Sequence, residues 1–406
     1  MDSMLESMKT SNSSFAFLLT ACGLFISCHS QPPVENQTAA APTFTASMQN
    51  LKELMIQLLP IVVDVAQFNA PENRQRVDSD VQKLVEVSRQ VVHSPVTEKL
   101  DPGLRMISTA FSEDLRRAQE SLTQGKRDFA RYNLLNVTAY CIECHTRTAV
   151  GPSFKSPSLE QAILRLKPME RGEFLLATRE FDRALAEFTS AIKDMTSHAG
   201  SQFDLERAVR QALSITVKFQ RDPQKALQVV DLIVNSQNTP YYLRQNARAW
   251  QVALNDWKKE KIGAGTKSSD VIKHAEGLVR AGRVSQTGTV ERGGDIYYLR
   301  ALSELNAVLM GRLQAEELGH SLYLTGVCYE ALRDSTIWAL HEDYYESCIR
   351  QVPHGKWSEK CYTHLEESIY LGYSGTSGLS LPLDVKVKLD DLKKLALPDL
   401  PAGLGQ

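Results

Sequence analysis

The sequence predicts an all-α chain: an N-terminal four-helix bundle followed by a solenoid of helical repeats. Three observations predict it. Apolar residues recur three and four apart from Ala46 to about residue 147, the pattern of helices that bury one stripe. No segment in that stretch alternates with period two over its length, as a half-buried strand would. The connections between its four amphipathic segments are short, which makes neighbours antiparallel and gives an up-down-up-down arrangement.

The N-terminus sets the compartment. Residues 1–30 read MDSMLESMKTSNSSFAFLLTACGLFISCHS, with no charge from Phe15 to Ser27. That run is too short to span a bilayer but suits the apolar region of a secretory signal. Asp2 and Glu6 ahead of it are unlike a positive n-region, whereas a start at Met8 would put Lys9 there. Phe25-Ile26-Ser27-Cys28 resembles the lipobox of bacterial lipoproteins, which implies a lipid on Cys28 and membrane contact through that lipid only. Leu19-Thr20-Ala21-Cys22 matches the same pattern but leaves only about five apolar residues ahead of it, too few for the signal. His29 replaces the aspartate that would favour inner-membrane retention, so the resemblance implies a periplasm-facing protein anchored to the outer membrane. The resulting organisation is a signal peptide (1–27), a Pro- and Ala-rich tether (28–45), the bundle (46–150), a linker (151–165), the repeat domain (166–380) and a C-terminal segment and tail (381–406).

Each bundle helix shows its own stripe. The first carries Met48, Leu51, Met55, Leu58, Val62 and Val65, with Pro60 able to kink or shorten it. Pro71 opens the second, which presents Val77, Val81, Leu84 and Val91. Asp101-Pro102 precedes the third, with Leu104, Phe111, Leu115, Ala118 and Leu122. Gln124-Gly125 breaks the chain before the fourth, whose stripe runs Ala130, Leu134, Val137, Cys141 and Cys144.

The fourth segment ends in Cys141-Ile142-Glu143-Cys144-His145, a C-x-x-C-H pattern. On a helix, positions i, i+3 and i+4 share one face, so two thiols and one imidazole point the same way. This suits thioether bonds to the two vinyl groups of one haem, with His145 as an axial iron ligand. Structural zinc would need a second Cys/His pair at comparable spacing, and none is visible. A thioredoxin-like dithiol prefers a βαβ setting, and this setting is helical.

A bundle of about a hundred residues with CxxCH near the end of its fourth helix resembles cytochrome c-prime and its low-spin relatives. The resemblance covers residues 45–150 and rests on Cys141, Cys144 and His145. It implies one covalently attached haem c and single-electron transfer rather than enzymatic turnover. In such bundles helix one supplies or blocks the sixth iron position. Met48 lies at the same depth as His145 and is the first choice as a ligand. Met55, two turns or ~10 Å deeper, is the second. His93 and Met106 lie off the centres of their stripes. The chain departs from the family where Thr146 to Pro152 end the helix soon after the motif.

Beyond the linker, Glu170 to Ala191 resembles a tetratricopeptide repeat. Gly172, Ala184, Phe188 and Ala191 fall where that motif needs small residues and one aromatic. A looser copy places Ala226 in the role of Ala184, and Gly326, Tyr329 and Pro353 echo the motif again. Such a stack offers a concave surface to a protein partner. Cys348 and Cys361 flank the turn at Pro353–Gly355 and are candidates for a disulfide, which leaves Cys328 as a free thiol. Gly372 to Gly378 reads as a loop.

A formal net charge of −2 gives no basic footprint for nucleic acid. The expected protein is an exported mono-haem electron carrier of the bacterial envelope that meets a redox partner and a partner of the repeats. Two rival expectations remain. One is a haem-based gas or redox sensor with an open sixth position. The other is a binding scaffold with an accessory haem.

Overall fold

The structure, a computed structural model, describes residues 43–99, 102–147, 155–198, 201–260, 267–286, 291–332, 339–376 and 378–397. The expected signal peptide, Cys22, the lipid site Cys28 and the tail from residue 398 lie outside the described residues. The chain is all-α. Its helices are α1 (Phe44–Val63), α2 (Val65–Asn69), α3 (Pro71–Val92), α4 (Pro95–Lys99), α5 (Pro102–Thr123) and α6 (Arg127–His145). Then come α7 (Pro157–Ile163), α8 (Pro168–Ala177), α9 (Phe181–Ser197), α10 (Gln202–Leu213), a π-helical turn (Ser214–Phe219), α11 (Pro223–Val234) and α12 (Tyr241–Trp257). The last are α13 (Ser268–Ser285), α14 (Asp295–Leu309), α15 (Ala315–Ala331), α16 (Leu340–Gln351), α17 (Lys356–Tyr373) and α18 (Leu383–Ala396). None of these helices is long and apolar enough to cross a membrane.

Local chemistry explains many boundaries. The Asp64 carboxylate accepts from the Ala66 and Gln67 N–H groups at 2.8 and 3.1 Å, so α2 restarts there after α1 ends. Pro71, Pro157 and Pro223 stand at first-turn positions, where a missing N–H costs nothing. Pro60 sits inside α1, three residues before its end.

Among the long N-terminal helices, α1 packs on α3, α3 on α5 and α5 on α6, and α1 also touches α6. Leu58, Val77, Val81, Leu84, Ile107, Leu115 and Val137 are buried between them. From α8 onward sequence neighbours pack pairwise, and the α8–α9 pair has the close contact its sequence suggests. A Cβ on Gly172 would lie 2.7 Å from Cε1 of Phe188, so only glycine admits that ring. In α15, a Cβ on Gly326 would meet Tyr345 at 2.4 Å.

Four details differ from the sequence reading. Val65, placed on the first helix's apolar stripe, opens the separate helix α2 and is exposed, because Asp64 ends α1 and caps α2. Within the stretch read as a linker, α7 buries Leu159, Ala162 and Ile163 and packs on α1. Ser374–Gly375 and Gly378–Leu379 form a two-stranded antiparallel ladder where a plain loop was expected. The C-terminal segment holds α18, which buries Leu389, Leu392 and Ala396 and packs on α16 and α17. All described residues belong to one compact unit, Pro42–Gln406. Contacts of α6 with α8 and of α5 with α16 tie its two halves together.

Candidate functional site

The C-terminal end of α6 borders a narrow apolar slot. Its walls are Met48, Leu51, Lys52 and Met55 from α1, Val91 from α3, and Ile107, Ser108 and Phe111 from α5. Tyr140, Cys141, Cys144 and His145 of α6 and Phe174, Ala177 and Thr178 around the end of α8 complete them. The space inside the slot that a water-sized sphere can reach is only about 70 Å³, well below that of an open cofactor site, so a group of that size needs the walls to part. Cys141, Cys144, His145, Met48 and Met55 therefore meet in one place. His93 is exposed, and neither it nor Met106 lines the slot.

The histidine is oriented by a residue the sequence reading did not anticipate. Nδ1 of His145 lies 2.6 Å from the Ala177 carbonyl oxygen. A carbonyl can only accept, so Nδ1 carries the proton and Nε2 is the unprotonated nitrogen of the neutral ring. Burial pushes the imidazole pKa down to about 4, against the pull of that hydrogen bond and with help from the Arg179 charge. His145 is thus a neutral ring with a fixed tautomer, the state a metal-ligating histidine needs. Arg179, held at φ 64°, also donates to the His145 carbonyl at 3.3 Å.

Cys141 and Cys144 are free thiols. Burial pushes the Cys141 thiol up to about 12, whereas a reactive redox dithiol needs an exposed, low-pKa member. Among the described residues no group of three or more His, Cys, Asp or Glu side chains is placed to hold a metal ion, so a zinc cage gains no support. Thiols and imidazole spread along one apolar wall fit a flat, largely apolar ligand better than a point charge. The slot's polar members are few. The Tyr140 hydroxyl donates to Asp114, Ser108 and Thr178 donate to backbone carbonyls of their own helices, and Lys52 pairs with Glu53 at 2.7 Å.

Behind Cys144 lies a buried polar cluster. Glu143, one of the two residues between the cysteines, accepts from Lys218 Nζ at 2.5 Å and from the Tyr329 hydroxyl. Arg147 donates to the Tyr344 hydroxyl at 2.5 Å, and the Tyr329 and Tyr344 rings stack with centroids 5.2 Å apart. Burial alone would raise the Glu143 pKa, but Lys218 and the hydrogen bonds hold it below the ordinary carboxylate range. Burial lowers Lys218, and Glu143 opposes that shift. Sequence reasoning missed the cluster because its hydrogen-bonded partners lie up to 197 residues apart. The local signals were a carboxylate between two core-facing cysteines and a lone lysine in Ile215-Thr216-Val217-Lys218-Phe219.

Elsewhere, Cys348 and Cys361 are joined in a disulfide with Cα atoms 6.4 Å apart, and Cys328 is a buried free thiol. A second, more polar cavity beside the π-helical turn is lined by Arg221, Trp257, Glu260, His274, Arg300 and Glu304, among others. No protein family, curated protein or solved structure matches the chain.

Proposed function

We propose that the chain is an exported mono-haem c-type cytochrome, a four-helix bundle joined to a tetratricopeptide-like stack. Its role is to pass single electrons in the bacterial envelope, anchored by a lipid on Cys28. Cys141 and Cys144 would hold the haem through thioethers, and His145 Nε2 would be an iron ligand. Met48, with Met55 as second choice, would be the second. When bound, the group supplies an iron that cycles between two charge states. The chain's own residues fix the imidazole through the Ala177 carbonyl and exclude water with Leu51, Phe111 and Phe174. They also present soft thioethers, which favour a raised potential.

The carrying observation is that an apolar slot is walled by both thiols, both methionines and an imidazole oriented through Nδ1 by the Ala177 carbonyl. The deciding experiment is the visible spectrum of protein matured with haem, reduced, with and without carbon monoxide, after acid-acetone extraction of loose haem. The expected result is retained haem that ignores carbon monoxide in the wild type and binds it in Met48→Ala. Complete loss of haem on extraction would sink the reading.

A second reading, a haem-based sensor signalling to the repeat stack, draws on the bonds that tie Glu143 and Arg147 to α15, α16 and the π-helical turn. Ready carbon monoxide binding by the wild type would favour it. The first reading calls for a redox partner protein and a protein partner of the repeat stack.

A further inference from the structure

The cavity beside the π-helical turn differs from the slot in size and in chemistry. A water-sized sphere reaches about 670 Å³ of it, a volume within the usual range for a small organic ligand. One face of α14 borders it, because Arg300, Ser303, Glu304 and Ala307 recur three and four apart. Val217, Trp257, Val271 and Val308 give it apolar walls.

Its carboxylates are held in place by the protein itself. Glu260 takes both terminal nitrogens of Arg300, whose guanidinium carbon lies 4.6 Å from the Trp257 ring centroid. Both Glu304 oxygens lie within 3.0 Å of His274 Nδ1. The Glu260 and Glu304 side chains stay 37% and 24% exposed, so each carboxylate can still accept. When the His274 ring is neutral, its Nδ1 proton goes to Glu304 and Nε2 is an acceptor, 3.9 Å from Oε2 of Glu260. One ammonium, with its diverging N–H groups, bridges two acceptors at that spacing. A bare metal ion fits less well, since among the described residues no three such groups are placed to hold one.

Cationic groups border the same space. Arg221 spends Nε and Nη2 on Ser303 Oγ and its carbonyl at 2.7 and 2.8 Å, which leaves Nη1 for a ligand. Arg300 is 3% exposed, and its Nε has no acceptor among the described residues, a deficit that costs free energy while it is unmet. Two rare backbone states also meet here. Val217 lies in the π-helical turn and Arg221 sits at φ 54°, and both kinds of irregularity concentrate at functional sites.

We propose that this cavity binds a small zwitterion, a free amino acid or a short peptide with an apolar side chain. The ammonium lies among Glu260, His274 and Glu304, the carboxylate faces Arg221 and Arg300, and the side chain packs on Val271 and Val308. A ligand of one charge sign would leave the opposite set of groups without a partner, which selects against it. The site is independent of the haem reading.

The test is calorimetric titration of the full chain, backed by melting-temperature shifts, with leucine, leucyl-leucine, N-acetyl-leucine and leucinamide. Leucine or leucyl-leucine should bind saturably and raise the melting temperature. N-acetyl-leucine, without an ammonium, and leucinamide, without a carboxylate, should each bind about tenfold more weakly than leucine, or worse. Tighter binding of leucyl-leucine than of leucine marks a peptide as the source, and the reverse order a free amino acid. Glu304→Gln keeps an acceptor for His274 and should weaken leucine while sparing N-acetyl-leucine. Arg221→Gln should weaken leucine while sparing leucinamide. Should either variant fail to fold, the four ligands on the wild type decide the matter. Equal affinity for leucine and its two blocked forms would overturn the zwitterion assignment. Neither heat nor stabilisation with any of the four would overturn it as well. Preferential binding of glucose or N-acetylglucosamine would replace it with a polyol site.

Discussion

At the scale of single residues, the clearest pH-sensitive group outside the slot is Asp295. It is buried at the first turn of α14, and its Oδ1 has no hydrogen-bond partner among the described residues. Burial pushes its pKa up to about 7, against the pull of Arg292 and Arg210. The folded state therefore holds a proton that the unfolded chain releases near pH 4, its ordinary range. Between those values the folded form binds more protons, so stability falls as pH rises from about 4 to 7 and is flat above. Asp295→Asn cannot ionise, so its melting temperature should show less decline across that window than the wild type's. The difference at pH 8 has an upper limit of ~4 kcal/mol from this one group. Melting curves at pH 5 and 8 check it, and identical pH slopes in the two proteins would refute the assignment. Glu173 behaves alike: burial takes it to about 7 despite its Arg207 ion pair. Some pH dependence should accordingly survive in Asp295→Asn.

At the scale of elements, α8 links packing to the site. It packs Gly172 against Phe188, and it ends at Ala177, whose carbonyl orients His145. Gly172→Ala gains helix propensity of ~1 kcal/mol. That gain is smaller than the overpacking it causes, because the added methyl would enter a fully buried ring. A net loss of about 1–2 kcal/mol is expected, seen as a lowered melting temperature and relieved by adding Phe188→Leu. If Gly172→Ala melts at or above the wild type, the ring has room to retreat and the contact is looser than it looks. This helix also shows what the sequence made legible. The stripes of α3, α5 and α6, that of α1 apart from the exposed Val65, and the Gly172–Phe188 register were readable, because each depends on spacing within one or two helices. The Ala177 carbonyl was not, because any residue can offer a carbonyl and nothing local marks the one that will face an imidazole 32 residues away. The helix α7, with only seven residues between prolines and serines, looked like linker for the same reason. Its apolar residues are buried only because α1 lies beneath them.

At the scale of the whole molecule, the two halves share the candidate site rather than merely adjoining. One wall of the slot, Phe174, Ala177 and Thr178, comes from beyond α6. The Tyr344 hydroxyl of α16 crowds Gly103 at the start of α5, where a Cβ would fall 1.8 Å from it. Arg147 and Glu143, just past and within α6, find their partners in α15, α16 and the π-helical turn. A fragment of residues 43–150 would expose this face to water. Its charged groups would be solvated without penalty, but the slot would lose a wall and His145 the acceptor that sets its tautomer. The expected fragment keeps helical far-ultraviolet circular dichroism, melts broadly, binds a hydrophobic dye and retains little haem after extraction. The same assays on residues 43–397 should show a cooperative melt and retained haem. A fragment that melts sharply and holds haem as firmly as the longer chain would mean that α1, α3, α5 and α6 build the site by themselves. The contacts from α8, α15 and α16 would then serve docking alone.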